Sequence, residues 1–123
     1  MSGTEQFLRE FNEAWLREDI PAVLDGVTDD IRFRMAREKG VEGKADFNKM
    51  LKAMSGSGQS FELSIDQVIV NGERAAVNGL IHCRSAEDKK MTTYAFCDVY
   101  LLKGGTSPKV CELTAYVVEV KQG

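Results

Sequence analysis

The sequence predicts an α+β protein in which a curved antiparallel sheet wraps around three N-terminal helices. Apolar residues recur at steps of three and four in the first half of the chain, whereas they alternate with period two in most of the second half. Helices followed by a run of strands are typical of the α+β class. The apolar stripes of the helices need an apolar sheet face to cover them, so we expect the sheet to curve around the helices.

Local signals mark the first two helices. Ser2 and Glu5 have the spacing of a capping box and predict the start of the first helix. Its apolar stripe consists of Phe7, Leu8, Phe11 and Trp15. Asp19, followed by Pro21 in the first turn, predicts the N-terminus of a short second helix that ends at Gly26.

A strand and a third helix follow. Residues 30–35 alternate between polar and apolar side chains, which predicts the first strand. The third helix is predicted by an apolar face that consists of Phe47, Met50, Leu51 and Met54. The glycine- and serine-rich residues 55–58 end this helix.

The second half predicts four strands. Apolar residues alternate over residues 61–70, with a shift of phase near Asp66 and Gln67 that indicates a β-bulge. The dipeptide Asn71-Gly72 is a strong signal for a two-residue hairpin. Three further strands are predicted over residues 74–84, 91–102 and 109–120.

Composition limits the class of protein. The 123 residues are enough for one domain, predicted over residues 1–123. Sixteen lysines and arginines against nineteen aspartates and glutamates give a net charge of −3, which argues against nucleic acid or an anionic membrane as the partner. With three cysteines and one histidine, we expect neither a disulfide framework nor a zinc site, and we expect no cofactor. These features and the absence of a signal-peptide pattern at the N-terminus predict a cytoplasmic protein.

Several short motifs resemble one known fold family. They are Asp19-Ile20-Pro21-Ala22, Thr28-Asp29-Asp30, Gly43-Lys44-Ala45 with Phe47, Cys97-Asp98-Val99-Tyr100, and Thr114-Ala115-Tyr116 with Glu119-Val120. Together with the order of elements, they resemble the nuclear-transport-factor-2-like cone, the fold of ketosteroid isomerases and SnoaL-like polyketide cyclases. The resemblance covers nearly the whole chain and implies a single SnoaL-like domain, a cone-shaped α+β roll like that of cystatins.

The resemblance carries over only part of the isomerase chemistry. That reaction needs a carboxylate base, a tyrosine that stabilises the oxyanion and a protonated aspartic acid. The position of the base matches Met35 and that of the tyrosine matches Phe11, whereas the third position is retained as Asp98. We therefore do not expect a steroid isomerase of the known mechanism.

Asp98 is the main candidate catalytic residue. It is the only charged side chain in residues 91–102, and period two places it on one face with Thr92, Tyr94, Phe96 and Tyr100. If this face lines the cone, desolvation raises the pKa of Asp98. The alternative is that Asp98 lies at the rim of the cone or pairs with an arginine.

His82 and Asn78 are the polar candidates on the preceding strand. By the resemblance, the row that contains Ala76, Asn78, Leu80 and His82 faces inward. An inward His82 would be a general base near neutral pH, and Asn78 would hydrogen-bond a ligand. The alternative for His82 is a hydrogen-bonded structural residue.

The predicted ligand is a small hydrophobic molecule. The predicted binding residues are Phe11, Trp15, Phe33, Met35, Asn78, Tyr94 and Phe96, with a place in an ordinary core as the alternative for the apolar ones. The opposite face of the long strands is also apolar, and we expect a homodimer to form through this outer face. Its predicted residues are Ala75, Val77, Ile81, Ala95, Cys97, Val99 and Leu101.

Three functions remain open from the sequence. The first is a cofactor-independent isomerase or cyclase that uses Asp98, with His82, for proton transfer. The second is a ligand-binding or dimerisation module without chemistry. The third is an epoxide hydrolase of the limonene type, which ranks last because the inward residues include one aspartate and no arginine.

Overall fold

The computed structural model describes residues 2–121. It contains the helices α1 (Gly3–Leu16), α2 (Ile20–Asp25) and α3 (Lys44–Met54). The strands are β1 (Val27–Met35), β2 (Val41–Glu42), β3 (Ser60–Asn71), β4 (Arg74–Arg84), β5 (Met91–Lys103) and β6 (Lys109–Glu119). Within this part of the chain, no helix is long and apolar enough to span a membrane.

The two predicted helix starts are confirmed by their caps. The hydroxyl of Ser2 accepts a hydrogen bond from the backbone N–H of Glu5 at 3.1 Å. The carboxylate of Asp19 accepts one from the N–H of Ala22 at 3.2 Å, and Gly26 is the C-cap of α2. Each cap satisfies a backbone donor that the helix itself cannot pair.

The sheet is curved and open, and its strand order is β2-β1-β6-β5-β4-β3. Strands β3 to β6 are joined as an antiparallel meander, as predicted. The prediction of a wholly antiparallel sheet was wrong at one edge, because β1 pairs with β6 in parallel. The chain between these two strands includes α3 and four other strands, so no tight turn imposes an antiparallel pairing. The two-residue β2, which pairs with β1, was not predicted.

The predicted bulge lies at Asp66, between the pairs Ile65–Gly79 and Gln67–Asn78. Gly79 is buried where β3 and β4 approach each other closely. A Cβ atom at position 79 would overlap the carbonyl oxygen of Ser64 and lie 2.9 Å from the Cα of Ile65. The irregular strand pair therefore needs a residue without a side chain at this point.

The helices cover one face of the sheet, which we call the inner face. Its rows on β4 and β5 consist of Ala75, Val77, Gly79, Ile81 and Cys83, and of Tyr94, Phe96, Asp98, Tyr100 and Leu102. The opposite, outer face carries Ala76, Asn78, Leu80 and His82 on β4, and Ala95, Cys97, Val99 and Leu101 on β5. Val77 pairs directly with Asp98 and is fully buried, so the two side chains lie on the same face.

This arrangement corrects one prediction. The row with Asn78 and His82 was expected to face inward, but it lies on the outer face. Conversely, Ala75, Val77 and Ile81 were expected on the outer face and instead belong to the inner face. Both rows of β4 are largely apolar, so alternation alone does not identify the row that the helices cover.

Candidate functional site

A cavity of about 290 Å³ lies between the helices and the inner face of the sheet. Its lining from the helices and the loops that follow them consists of Asn12, Trp15, Leu16, Glu18, Ile20, Val23, Leu51, Met54 and Ser55. Its lining from the strands consists of Phe33, Met35, Phe61, Leu63, Ile81, Tyr94, Phe96, Asp98, Tyr100, Leu113, Ala115 and Val117. The volume is at the lower limit for small-molecule sites, and such sites are mostly apolar with a few polar groups.

The cavity has an open end and a closed end. Met54 and Val117 line the cavity yet are 56% and 39% exposed, so they mark its mouth. Tyr100 is only 1% exposed and Asn12 is also buried, so these two polar residues lie at the closed end. A ligand that enters past Met54 would meet an apolar wall before it reaches polar groups.

A chain of hydrogen bonds connects the polar groups of the cavity. The side-chain amide of Asn12 donates to the carbonyl oxygen of Leu8 at 2.8 Å and to the hydroxyl oxygen of Tyr100 at 3.0 Å. Tyr100 in turn donates its hydroxyl proton towards the Oδ2 atom of Asp98, across a longer distance of 3.4 Å. The hydroxyl oxygen of Tyr100 accepts the hydrogen bond from Asn12, so the O–H proton of Tyr100 is free to be directed at Asp98.

The apolar surroundings change the acidity of both groups. Burial raises the pKa of Asp98 to about 7, and the hydrogen bond from Tyr100 lowers it to a smaller extent. Burial and the neighbouring Asp98 raise the pKa of Tyr100 well above its usual value. At neutral pH the Asp98 carboxyl therefore exists in both protonation states, whereas Tyr100 remains a hydrogen-bond donor. A carboxyl of this kind can both take up and release a proton.

Aromatic side chains hold the wall of the cavity in place. The ring of Trp15 lies 5.5 Å from that of Phe33 and 5.6 Å from that of Phe47, between centroids. Phe33 and Phe47 also contact each other, with their rings 6.0 Å apart. Phe47 is fully buried, so α3 anchors this cluster while Trp15 and Phe33 line the cavity.

The structure brings together most of the residues that the sequence singled out. Those that line the cavity are Trp15, Phe33, Met35, Tyr94, Phe96 and Asp98. Phe11 does not line it and lies in the core behind it, with its ring 6.0 Å from Trp15 and 6.2 Å from Tyr100. Contrary to the prediction, Phe11 therefore does not contact a ligand in this cavity but packs behind two residues that line it.

The structure does not bring Asn78 and His82 to the cavity. The Nδ1 atom of His82 hydrogen-bonds the hydroxyl of Thr93 at 2.9 Å, on the outer face. The amide of Asn78 donates to the side chain of Gln67 at 3.1 Å on the same face. Both are structural cross-strand contacts, and the inward roles predicted for the two residues are wrong.

The cavity residues that were not predicted as site residues include three that carry polar groups, Asn12, Glu18 and Tyr100. Asn12 and Tyr100 form the hydrogen-bond chain, and Glu18 lies at the junction of α1 and α2. Asn12 had a detectable signal, since it is a polar residue within the apolar stripe of the first helix.

Within residues 2–121, no group of three or more histidine, cysteine, aspartate or glutamate side chains could hold a metal ion.

Comparison with known structures agrees with this fold. No curated protein matches the chain in sequence. A proposed polyketide cyclase from Pseudomonas putida KT2440 superposes with a TM-score of 0.77 at 23% identity, over 94% of this chain and 91% of the other. An LEH-like epoxide hydrolase from M. tuberculosis gives 0.75 at 17% identity, over 92% of this chain and 80% of the other.

A third structure is an NTF2-like protein of unknown function from Cytophaga hutchinsonii ATCC 33406. It has 27% identity and a TM-score of 0.65, over 93% of this chain and 98% of the other. These likenesses confirm the predicted α+β cone. The sequence profile described as the SnoaL-like domain matches residues 8–110, which is most of the chain. The protein is therefore a member of the SnoaL-like domain family.

Proposed function

We propose that this protein binds a small hydrophobic molecule in the cavity and transfers a proton on it through Asp98. The reaction would be an isomerisation or a cyclisation that needs no cofactor. The observation that carries the proposal is a carboxyl with a pKa of about 7 in an apolar cavity of about 290 Å³. The polyketide cyclase and epoxide hydrolase likenesses are consistent with small-molecule chemistry in this fold, but they carry no reaction to this chain.

The chemistry follows from the two protonation states of Asp98. As a carboxylate it would take a proton from a carbon next to the carbonyl group of the ligand. In a ligand with a double bond next to that carbon, the electron pair left behind would delocalise over the carbonyl group and the double bond. As a carboxylic acid, Asp98 would return the proton to the far carbon of the double bond, so the double bond shifts, the ligand is isomerised and the Asp98 carboxylate is regenerated. Tyr100 would keep the carboxyl oriented, because Asn12 holds its hydroxyl at 3.0 Å.

Deuterium exchange on a cyclic ketone tests this proposal directly. We suggest 2-tetralone in D₂O, with loss of the proton signals next to the carbonyl followed by NMR. The wild-type protein is expected to accelerate exchange, and Asp98→Asn should lose at least about 100-fold of the acceleration because the amide cannot accept the proton. Asp30→Asn, which changes an exposed carboxylate outside the cavity, is the matched control.

A binding module without turnover is the second candidate. It is favoured by Met35, a side chain without acid–base chemistry, which lies in the cavity at the place where the resemblance expects the base. Trp15 is the only tryptophan, so its fluorescence reports ligand entry independently of turnover. A ketone that changes the emission of Trp15 without exchange would favour binding alone. If hydrophobic ketones do neither, both candidates fail.

We further propose that the outer face is the contact surface of a homodimer. Val99, Tyr116 and Val118 project from it and are exposed, and Val118 is 68% exposed. Next to them lie the part-buried Leu80, Ala95 and Cys97, so the apolar surface is contiguous across three strands. Monomeric proteins rarely expose such a surface, and a second copy would cover it symmetrically.

A further inference from the structure

The charged side chains that line the cavity are all acidic. Two carboxylates, Glu18 and Asp98, are among the lining residues, whereas no lysine, arginine or histidine is among those within residues 2–121. The nearest basic residue in sequence, Arg17, is exposed and pairs with Asp19 at 3.3 Å instead. The charged side chains of this low-dielectric space would therefore repel an anionic ligand and attract a cationic one.

The side chain of Glu18 is held at the mouth of the cavity by a hydrogen bond from a backbone N–H group. Glu18 has a φ of 59°, a left-handed conformation that costs energy for a residue with a side chain. Its Oε2 atom accepts a hydrogen bond from the N–H of Gly56 at 2.9 Å, in the loop that follows α3. No ion pair to Glu18 forms within residues 2–121. A half-buried carboxylate is therefore fixed at the cavity without a protein cation to neutralise it.

Aromatic side chains form part of the apolar wall and add a second attraction for positive charge. Trp15, Phe33, Phe61, Tyr94 and Phe96 all line the cavity. The faces of aromatic rings attract cations, and desolvation strengthens this attraction. The same rings also give a hydrophobic ligand its main contact area.

We propose that the ligand of this cavity is a hydrophobic amine, with its apolar body against the aromatic rings and its ammonium group near Glu18. This inference rests on the proposed function, because it assumes that the cavity binds a small molecule. It narrows the ligand class from hydrophobic molecules in general to those that carry a positive charge.

Three ligands of one shape and different charge test the proposal. They are 1-adamantylmethylamine, 1-adamantanemethanol and 1-adamantanecarboxylate, titrated into the protein at pH 8 by calorimetry. This pH is above the pKa of about 7 for Asp98, and a primary alkylamine is still protonated there. We expect the amine to bind at least about tenfold more tightly than the carboxylate, with the alcohol between them.

Glu18→Gln separates charge from structure, because the glutamine oxygen can still accept from Gly56. We expect it to reduce the affinity for the amine about fivefold and to leave the affinity for the alcohol unchanged. Glu13→Gln, on the exposed side of α1, makes the same change of net charge outside the cavity and should alter neither affinity. Thermal melting of both variants checks that they fold.

The outcomes distinguish this inference from the proposed function. If the alcohol binds and the carboxylate binds as tightly as the amine, the charge preference is wrong and small-molecule binding stands. If Glu18→Gln weakens the alcohol as much as the amine, Glu18 only shapes the mouth and the inference is overturned. If none of the three ligands binds, the inference is overturned, and deuterium exchange on 2-tetralone decides the proposed function separately.

Discussion

The inner and outer faces of the same strands have similar composition and opposite roles. On the inner face, the helices enclose a cavity in which the pKa of Asp98 is raised to about 7. On the outer face, the polar residues Asn78 and His82 pair with cross-strand neighbours. Apolar Val99 and Val118 are exposed there. An apolar row of side chains therefore does not tell which face of this sheet the helices cover, because both faces carry such rows.

The largest expected effect concerns the outer face. Val118→Glu places a charge in the proposed contact surface, where its desolvation opposes association. We expect the dimer dissociation constant to rise at least about 100-fold, which is roughly 3 kcal/mol. Light scattering across a concentration series measures this change, and Thr106→Glu in the exposed turn before β6 is the control. A monomeric wild-type protein would contradict the proposed dimer.

The next effect concerns the close approach of the strands at the inner face. Gly79→Ala forces a Cβ into the backbone of β3, and we expect it to lower the free energy of unfolding by about 2–4 kcal/mol. Its outer-face neighbour provides the comparison: Asn78→Ala removes one exposed hydrogen bond and should cost less than about 1 kcal/mol. Urea denaturation measures both. Equal costs would mean that the bulge relaxes to accept a side chain.

A third prediction uses the pH dependence of Asp98. Folding raises its pKa from the ordinary 3.8 to about 7, so the protonated carboxyl is favoured in the folded protein. The contribution of Asp98 to the free energy of unfolding is therefore most favourable below pH 3.8. It declines as the pH rises towards 7 and is constant above that pH. Asp98→Asn should match the wild type at pH 4 and be more stable at pH 8, by roughly 2 kcal/mol after allowance for partial exposure.

Thermal melting across this pH range measures the difference between the two proteins. Asp30 is the matched control, since its hydrogen bond with Thr28 lowers its pKa. Asp30→Asn should therefore bring no gain in stability at pH 8. Destabilisation by Asp98→Asn at neutral pH would contradict this prediction, because it would mean that the hydrogen bond from Tyr100 stabilises the charged carboxylate more than burial disfavours it.

The smallest effect is expected for His82. Since its side chain lies on the outer face and pairs with Thr93, His82→Ala should change the affinity of a cavity ligand by less than about twofold. The lost hydrogen bond should lower the free energy of unfolding by about 1 kcal/mol or less. Ligand titration followed by the fluorescence of Trp15 checks this. A tenfold loss of affinity would show that His82 reaches the site in solution.

Much of the architecture could be read from local sequence. The caps Ser2 and Asp19, the bulge near Asp66 and a two-residue hairpin are all present in the structure, although the hairpin loop consists of Gly72 and Glu73, one residue later than predicted. Each depends on side chains and backbone groups within a few residues of one another. The first strand was predicted from residue 30, whereas β1 begins at Val27, because Asp29 and Asp30 interrupt the apolar pattern.

The candidate site was predictable only in part. Asp98 stood out as a single charge in an apolar strand, and it does line the cavity. Asn12 could have been noticed as a polar residue within an apolar stripe. Glu18 could not, because its place at the cavity depends on a left-handed backbone at the corner between two helices and on a contact with Gly56.

The helices, the meander of strands and the one carboxyl that stands apart in β5 follow from patterns in the local sequence. Three features depend on the packing of the whole chain: which face of the sheet is covered, the parallel pairing of β1 with β6, and the contact of Asn12 with Tyr100, 88 residues away. The physical reason is the range of the interactions. Caps and turns are satisfied by neighbouring residues, whereas the pKa of Asp98 is raised by burial, which requires helices from the other end of the chain.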